Sequence, residues 1–140
     1  MDATQITLVQ STWSKVLLIS ETAADLFYNR LFEIDPSTKE LFKGDMKEQG
    51  RKLMQMITAA VNGLNDLDGL VPTVQDLGRR HGGYGVTDEH YGSVASALLW
   101  TLEQGLGEDF TPEVKTAWTE TYMLLAGVMQ DAAKKLEKAA

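Results

Sequence analysis

Apolar residues recur at steps of three and four along almost the whole chain, and no stretch alternates apolar with polar residues for long. Steps near 3.6 put side chains on one face of a helix, whereas a half-buried strand needs a step of two. The periodicity therefore disfavours a sheet and predicts an all-α domain. The three prolines agree with this: Pro36, Pro72 and Pro112 each fall where a helix could begin. Asp35-Pro36 and Thr111-Pro112 read as a capping residue followed by a first-turn proline.

Six or seven helices follow from the spacing. The first starts near Thr4 and shows Ile6, Val9, Trp13, Val16 and Leu17 on one face. Ser20-Glu21-Thr22 interrupts it weakly, and a second segment carries Leu26, Phe27, Leu31 and Ile34. It must stop at Asp35, because a residue before proline avoids the helical region. A helix from about Met46 to Leu64 shows Leu53, Ile57, Ala60, Val61 and Leu64. Asn65 to Gly69 reads as a loop. Leu70, Val74, Leu77 and His81 form the next stripe, broken by Gly82-Gly83-Tyr84-Gly85. A helix from about Asp88 carries Tyr91, Val94, Ala95, Leu98 and Leu102 and closes at Gly105 and Gly107. The last opens at Thr111-Pro112 and runs through Val114, Trp118, Tyr122, Leu125, Met129, Ala132 and Leu136, with Lys134, Lys135 and Lys138 near its C-terminal dipole.

Length and charge narrow the function. The 140 residues read as one domain, residues 1–140. The absence of cysteine excludes disulfide scaffolds, thiolate metal sites and thiol nucleophiles. A net charge of −7 argues against a nucleic-acid partner and against anionic membranes. The N-terminus lacks a targeting pattern, and the apolar run from Tyr122 to Met129 is too short for a membrane span. A cytoplasmic location is expected.

Only two histidines exist, His81 and His90. His81 lies on an apolar stripe one turn beyond Leu77. It is either a satisfied core histidine or a metal ligand whose second ring nitrogen bonds a carbonyl. Zinc would require further converging N or O ligands, while haem supplies four nitrogens of its own. Tyr28 and Gln49 sit on apolar stripes and need hydrogen-bond partners, either backbone and water or a ligand in a pocket. His90 reads as a surface or packing residue. The Gly82–Gly85 run lacks the strand and the Lys-Ser/Thr of a phosphate loop, and a helix C-terminus explains it better. Arg79 and Arg80 read as solvated charges, and Trp13, Trp100 and Trp118 as packing residues. No nucleophile elbow or catalytic carboxylate pair is present.

Taken together, these pieces resemble the globin family, in particular single-domain bacterial haemoglobins and, more distantly, neuroglobin. The resemblance covers nearly the whole chain. It rests on Ser11-Thr12-Trp13, on Leu26 to Phe32 with Pro36, and on Glu40-Leu41-Phe42. Further support comes from Arg51-Lys52-Leu53-Met54, from Leu77 to His81 with Tyr84-Gly85-Val86, and from His90-Tyr91 and Ala117-Trp118. It implies a globin fold of six to eight helices around a pocket for haem b (iron protoporphyrin IX). His81 would be the proximal iron ligand, with its other nitrogen on the Leu77 carbonyl. Phe42 would wedge the haem, and Gln49 and Leu53 would stand on the distal side. Tyr28 would aim its hydroxyl at the sixth position. Val86, Val94 and Leu98 would wall the haem, and Lys52 and Arg80 are candidates for the propionates.

The resemblance also implies a reaction class. A hydrogen bond to a charged acceptor contributes about 1.5–3 kcal/mol, so Tyr28 and Gln49 together could slow dioxygen release about a hundredfold. High-affinity, reversible dioxygen binding is the leading expectation, with NO and CO as further ligands and NO detoxification as a related role. The enzyme alternative is an NO dioxygenase served by a separate reductase, since 140 residues leave no room for a flavin domain. A haem-free globin-like interaction module is the remaining alternative. The expected assembly is a monomer or weak homodimer. Two departures from family patterns stand out. Gln49 replaces a distal histidine that would ligate iron, so an open or water-bound sixth site is expected, with Tyr28 a candidate ferric ligand. Tyr91 matches the tyrosine of a Tyr–Glu pair that couples to the proximal histidine, but Ala133 falls at the Glu position, with Asp131 and Glu137 as substitutes.

Overall fold

The computed structural model describes residues 2–42, 44–83 and 86–139, with backbone alone for 82, 83 and 135–139. Among them it is all-helical. The helices are α1 (Ala3–Leu17), α2 (Ser20–Ile34), α3 (Met46–Asn62), α4 (Leu67–Gly83), α5 (Asp88–Leu106) and α6 (Pro112–Ala139). Three 3-10 turns join them, at Pro36–Leu41, Gly63–Asn65 and Gly107–Asp109.

Capping explains most boundaries. Asp2 and Gln5 form a reciprocal cap on α1, two otherwise unsatisfied donors being met at once. Asp45 caps α3 through the Lys47 N–H. At α5 the Thr87 N–H donates to His90 Nδ1 at 3.0 Å, so His90 serves as a capping residue. The break between α1 and α2 comes at Leu18-Ile19, just before Ser20.

One stretch departs from the sequence expectation. Leu67 to Gly69 are helical, and Pro72 lies inside α4 instead of at its start. Asp66 decides this: its carboxylate accepts from the Gly69 N–H at 3.2 Å and its carbonyl from the Leu70 N–H at 3.1 Å. The cap starts the helix ahead of the proline, and the missing Pro72 N–H is tolerated in its second turn. Gly105 lies within α5, which ends at Leu106. The backbone of α4 runs on through Gly82 and Gly83, while Tyr84 and Gly85 lie outside the described residues.

The main core gathers Val9, Trp13, Val16, Leu64, Leu102 and Trp118 from several helices. Two tryptophans anchor it with ring centroids 5.7 Å apart. Both indole N–H groups are satisfied, Trp13 by Thr58 and Trp118 by Thr12, each at 2.9 Å. Buried indoles need such partners. Trp100 lies under the Arg30 guanidinium, 5.2 Å from the ring centre.

Helix pairing positions the rest. α4 packs on α6, α2 on α5, and α3 on α1 and α2. Among the described residues α3 and α4 share no extended face, although a 3-10 turn connects them. No helix among these residues is long and apolar enough to cross a membrane.

Candidate functional site

A second apolar cluster is built around α2. Phe27, Tyr28, Leu31 and Ala97 are buried, and Phe32, Phe42, Leu53, Val94 and Leu98 pack against them while remaining half-buried. The ring of Tyr28 meets Phe42 edge-on at 5.1 Å and Phe32 nearly stacked at 6.0 Å. Such aromatic pairs fix ring orientation beyond what area burial alone would do. Val94 and Leu98 reach the cluster because they are four residues apart on α5. Phe42 reaches it because the Pro36–Leu41 turn folds the chain back after α2.

The Tyr28 hydroxyl donates to the backbone carbonyl of Gln49 at 3.2 Å. The sequence expectation has this hydroxyl aimed at a ligand; the structure gives it a backbone acceptor. The bond is long for an O–H donor, whose usual distance is nearer 2.7–2.8 Å. Burial pushes the phenol up to about 12, so it is held neutral, as a donor. Gln49 is half-buried on α3, one turn before Leu53.

His81 is half-buried near the end of α4. Its Nδ1 lies 2.8 Å from the Leu77 carbonyl oxygen, and Leu77 is itself half-buried. A carbonyl can only accept, so Nδ1 is the donor of this bond. The half-buried Val86 donates its N–H to the His81 carbonyl at 3.2 Å, leading the chain into α5.

Tyr91, three residues before Val94, has a buried hydroxyl with no hydrogen-bond partner among the described residues. Burial, and then the charge of Asp88, raises its pKa. Its carbonyl accepts from Tyr122 at 2.6 Å, and burial with neighbouring Tyr91 drives the Tyr122 phenol up as well. An orphaned buried hydroxyl costs about 1–3 kcal/mol, so it points to a group that would satisfy it. On α6 Ala133 is half-buried and Asp131 exposed, while the Glu137 side chain lies outside the described residues. Lys52 is exposed. Arg80 is exposed and bound to Asp76 at 2.7 Å, one turn back, so its guanidinium is engaged with a carboxylate where the sequence reading offers it to a propionate.

The structure thus gathers Tyr28, Phe42, Leu53, Val94 and Leu98, sets Tyr28 on the Gln49 carbonyl, and sets His81 on Leu77. It adds the Tyr122–Tyr91 bond, which the sequence reading lacks, and it sets Phe32, one turn along α2, nearly stacked on Tyr28. Among the described residues no cluster of three or more His, Asp and Glu is placed to hold a bare metal ion. A lone histidine suits a metal that brings its other ligands with it. Phe42, Leu53, Val94 and Leu98 leave half-buried apolar surface beside Tyr28, which fits a broad apolar group, and the buried Tyr91 hydroxyl, without a partner among the described residues, calls for a polar atom.

Residues 25–129 match the family model described as Globin. The chain is similar to a flavohemoprotein of Xylella fastidiosa (strain Temecula1 / ATCC 700964), 33% identical over 129 residues, covering 90% of this chain and 32% of that protein. A flavohemoprotein of Bacillus subtilis (strain 168) is 30% identical over 141 residues, covering 99% of this chain and 34% of the relative. The chain spans about a third of the length of these flavohemoproteins. The anaerobic nitrite reductase NSHB5 of Oryza sativa subsp. indica is 34% identical over 139 residues, covering 94% of this chain and 95% of the relative. Tyr28, Gln49, His81 and Tyr91 all fall inside the matched region, and the chain belongs to the globin family.

Proposed function

We propose that this globin binds haem b with His81 as the axial ligand and holds dioxygen reversibly, with Tyr28 and Gln49 on the opposite side. The observation that carries the reading is the 2.8 Å contact between His81 Nδ1 and the Leu77 carbonyl, which orients the ring and makes Nε2 the nitrogen that would meet a metal. When bound, the haem would supply an iron able to accept a histidine nitrogen and to bind a diatomic gas such as dioxygen, NO or CO reversibly. The chain's own residues do the rest. Phe42, Leu53, Val86, Val94 and Leu98 present apolar surface that excludes water. The neutral Tyr28 phenol keeps its proton and can redirect its hydrogen bond from the Gln49 carbonyl to a stronger acceptor. Lys52 offers an unpaired cation for a propionate, and Arg80 would have to leave Asp76 to do the same.

The acceptor on His81 favours gas binding over peroxide chemistry. A neutral carbonyl polarises the imidazole less than a carboxylate would, and the family resemblance sets Ala133 where such a carboxylate would stand. NO dioxygenation with an external reductase is the second reading, supported by similarity to the flavohemoproteins. A cytoplasmic setting is part of the proposal.

Absorbance spectra of the purified protein in ferric, dithionite-reduced and oxygenated forms test the reading, beside Tyr28→Phe. A five-coordinate ferrous spectrum and a stable oxygenated form, with faster gas release in the variant, are expected. A six-coordinate ferrous spectrum would overturn the open sixth site. A protein that stays colourless after haem supplementation would leave a helical interaction module. Rapid nitrate formation from NO with NADH and a cell reductase would favour the enzyme reading.

A further inference from the structure

On another face of α3 lies a groove unrelated to the Tyr28 cluster. It runs between α2 and α3, has a volume of about 600 Å³, and follows α3 from Met46 to Ala59. At 1.5 Å per residue that is roughly 20 Å of helix. Its floor is made by Ala24, Gly50 and Met54, all buried. The helices cross closely here: a β-carbon on Gly50 would stand 3.0 Å from that of Ala24.

The rims carry opposite charge. Glu21 and Asp25 line the α2 side; Lys47 and Arg51 line the α3 side. All four are exposed, and none takes part in any of the ion pairs found among the described residues. Leu17 and Met46 also line the groove as exposed apolar side chains. Beyond Leu17 come Leu18, 86% exposed, and Ile19, also exposed. Three consecutive exposed aliphatic residues at one helix corner form the kind of patch that marks an interaction surface.

We infer that this groove is a self-association surface whose occupant is a second copy of this chain. The charge arrangement selects the symmetry. A two-fold axis running along the groove sets the acidic α2 rim of one copy against the basic α3 rim of its partner, twice over. An axis across the groove would oppose like charges, which is costly. The same operation lays the Leu17–Ile19 corner, at the head of α2, over the α3 rim of the partner, twice over, which covers it. An isologous contact of this kind closes on itself and forms a dimer, not a filament. A small ligand would leave most of the groove's length and the Leu18 corner uncovered.

Sedimentation equilibrium of the full-length haem-loaded protein over a range of concentrations, at low and high salt, tests the inference. The unaltered chain is expected to dimerise, more weakly at high salt. Glu21→Lys with Asp25→Lys, and separately Lys47→Glu with Arg51→Glu, should each weaken association about tenfold or more. Mixing the two reversed proteins should restore it as a heterodimer. Leu18→Ser should weaken association with no change in salt dependence. Helical content by circular dichroism and the haem spectrum keep folding separate from association. A protein monomeric up to millimolar concentration overturns the inference, as does association indifferent to charge reversal or not restored by mixing. None of these readings depends on which gas the site binds.

Discussion

Gly78 of α4 and Met129 of α6 pack backbone to backbone: a β-carbon built on Gly78 would collide with the Met129 carbonyl oxygen and α-carbon. α4 can therefore lie directly against α6, and His81 follows Gly78 by three residues, one turn along the same helix. Elsewhere in a helix a change from glycine to alanine stabilises by about 1 kcal/mol. Here Gly78→Ala should instead destabilise by about 1–3 kcal/mol, because the two helices must separate. Urea denaturation gives the sign, and haem titration should show weaker uptake as His81 moves with its helix.

The Tyr28 hydroxyl has an acceptor of its own, which lowers its expected effect on gas release. A donor to a partly charged ligand contributes about 1.5–3 kcal/mol, from which the bond to the Gln49 carbonyl, about 1 kcal/mol, must be given up. The net is about 0.5–2 kcal/mol, roughly three- to thirtyfold, below the hundredfold expected for two unengaged donors. Stopped-flow release of dioxygen from Tyr28→Phe measures it. A change under twofold would show that the hydroxyl stays on Gln49.

Burial holds the Tyr28 phenol up at about 12, and that of Tyr122 higher than its ordinary value too. Each native pKa lies above that of the unfolded chain, near 10. The associated stability is intact below pH 10 and is lost as pH rises from there through the native value, because the unfolded state ionises first. Urea melts at stepped pH should show this alkaline decline. Tyr28→Phe should flatten the segment between pH 10 and about 12.

The Tyr91 hydroxyl is buried and has no partner among the described residues. In the haem-free protein Tyr91→Phe should leave stability unchanged or raise it by about 1 kcal/mol. In the haem-loaded protein the same change should cost stability or haem affinity if the hydroxyl gains a partner there. Thermal melts of both forms separate the two outcomes. An equal effect in both would remove Tyr91 from the haem site.

His81→Gly should lower haem affinity by more than the roughly 10–100-fold that loss of a partner to a ligating histidine costs. Added imidazole should restore much of it by filling the vacated position. His90→Gly serves as the contrast. It removes the acceptor for the Thr87 N–H, so it should cost about 1 kcal/mol of stability and leave the haem spectrum unchanged.

Local periodicity carried much of this molecule. The stripes of α1, α3, α5 and α6 and the place of His81 in line with the apolar residues of α4 follow from a repeat of 3.6, which is written in the sequence; the bond of His81 to Leu77 was implied by the family resemblance. The start of α4 was legible too, in the Asp66 cap, but Pro72 is the louder signal and points to the wrong residue. Long-range geometry lay outside such reasoning. That Tyr28 spends its proton on the Gln49 carbonyl, that the Tyr91 hydroxyl has no partner among the described residues, and that Gly78 touches Met129 all depend on how separate helices meet. A helical repeat fixes which face of a helix is apolar; only packing fixes what that face meets, because contacts between distant segments depend on the position of every helix at once.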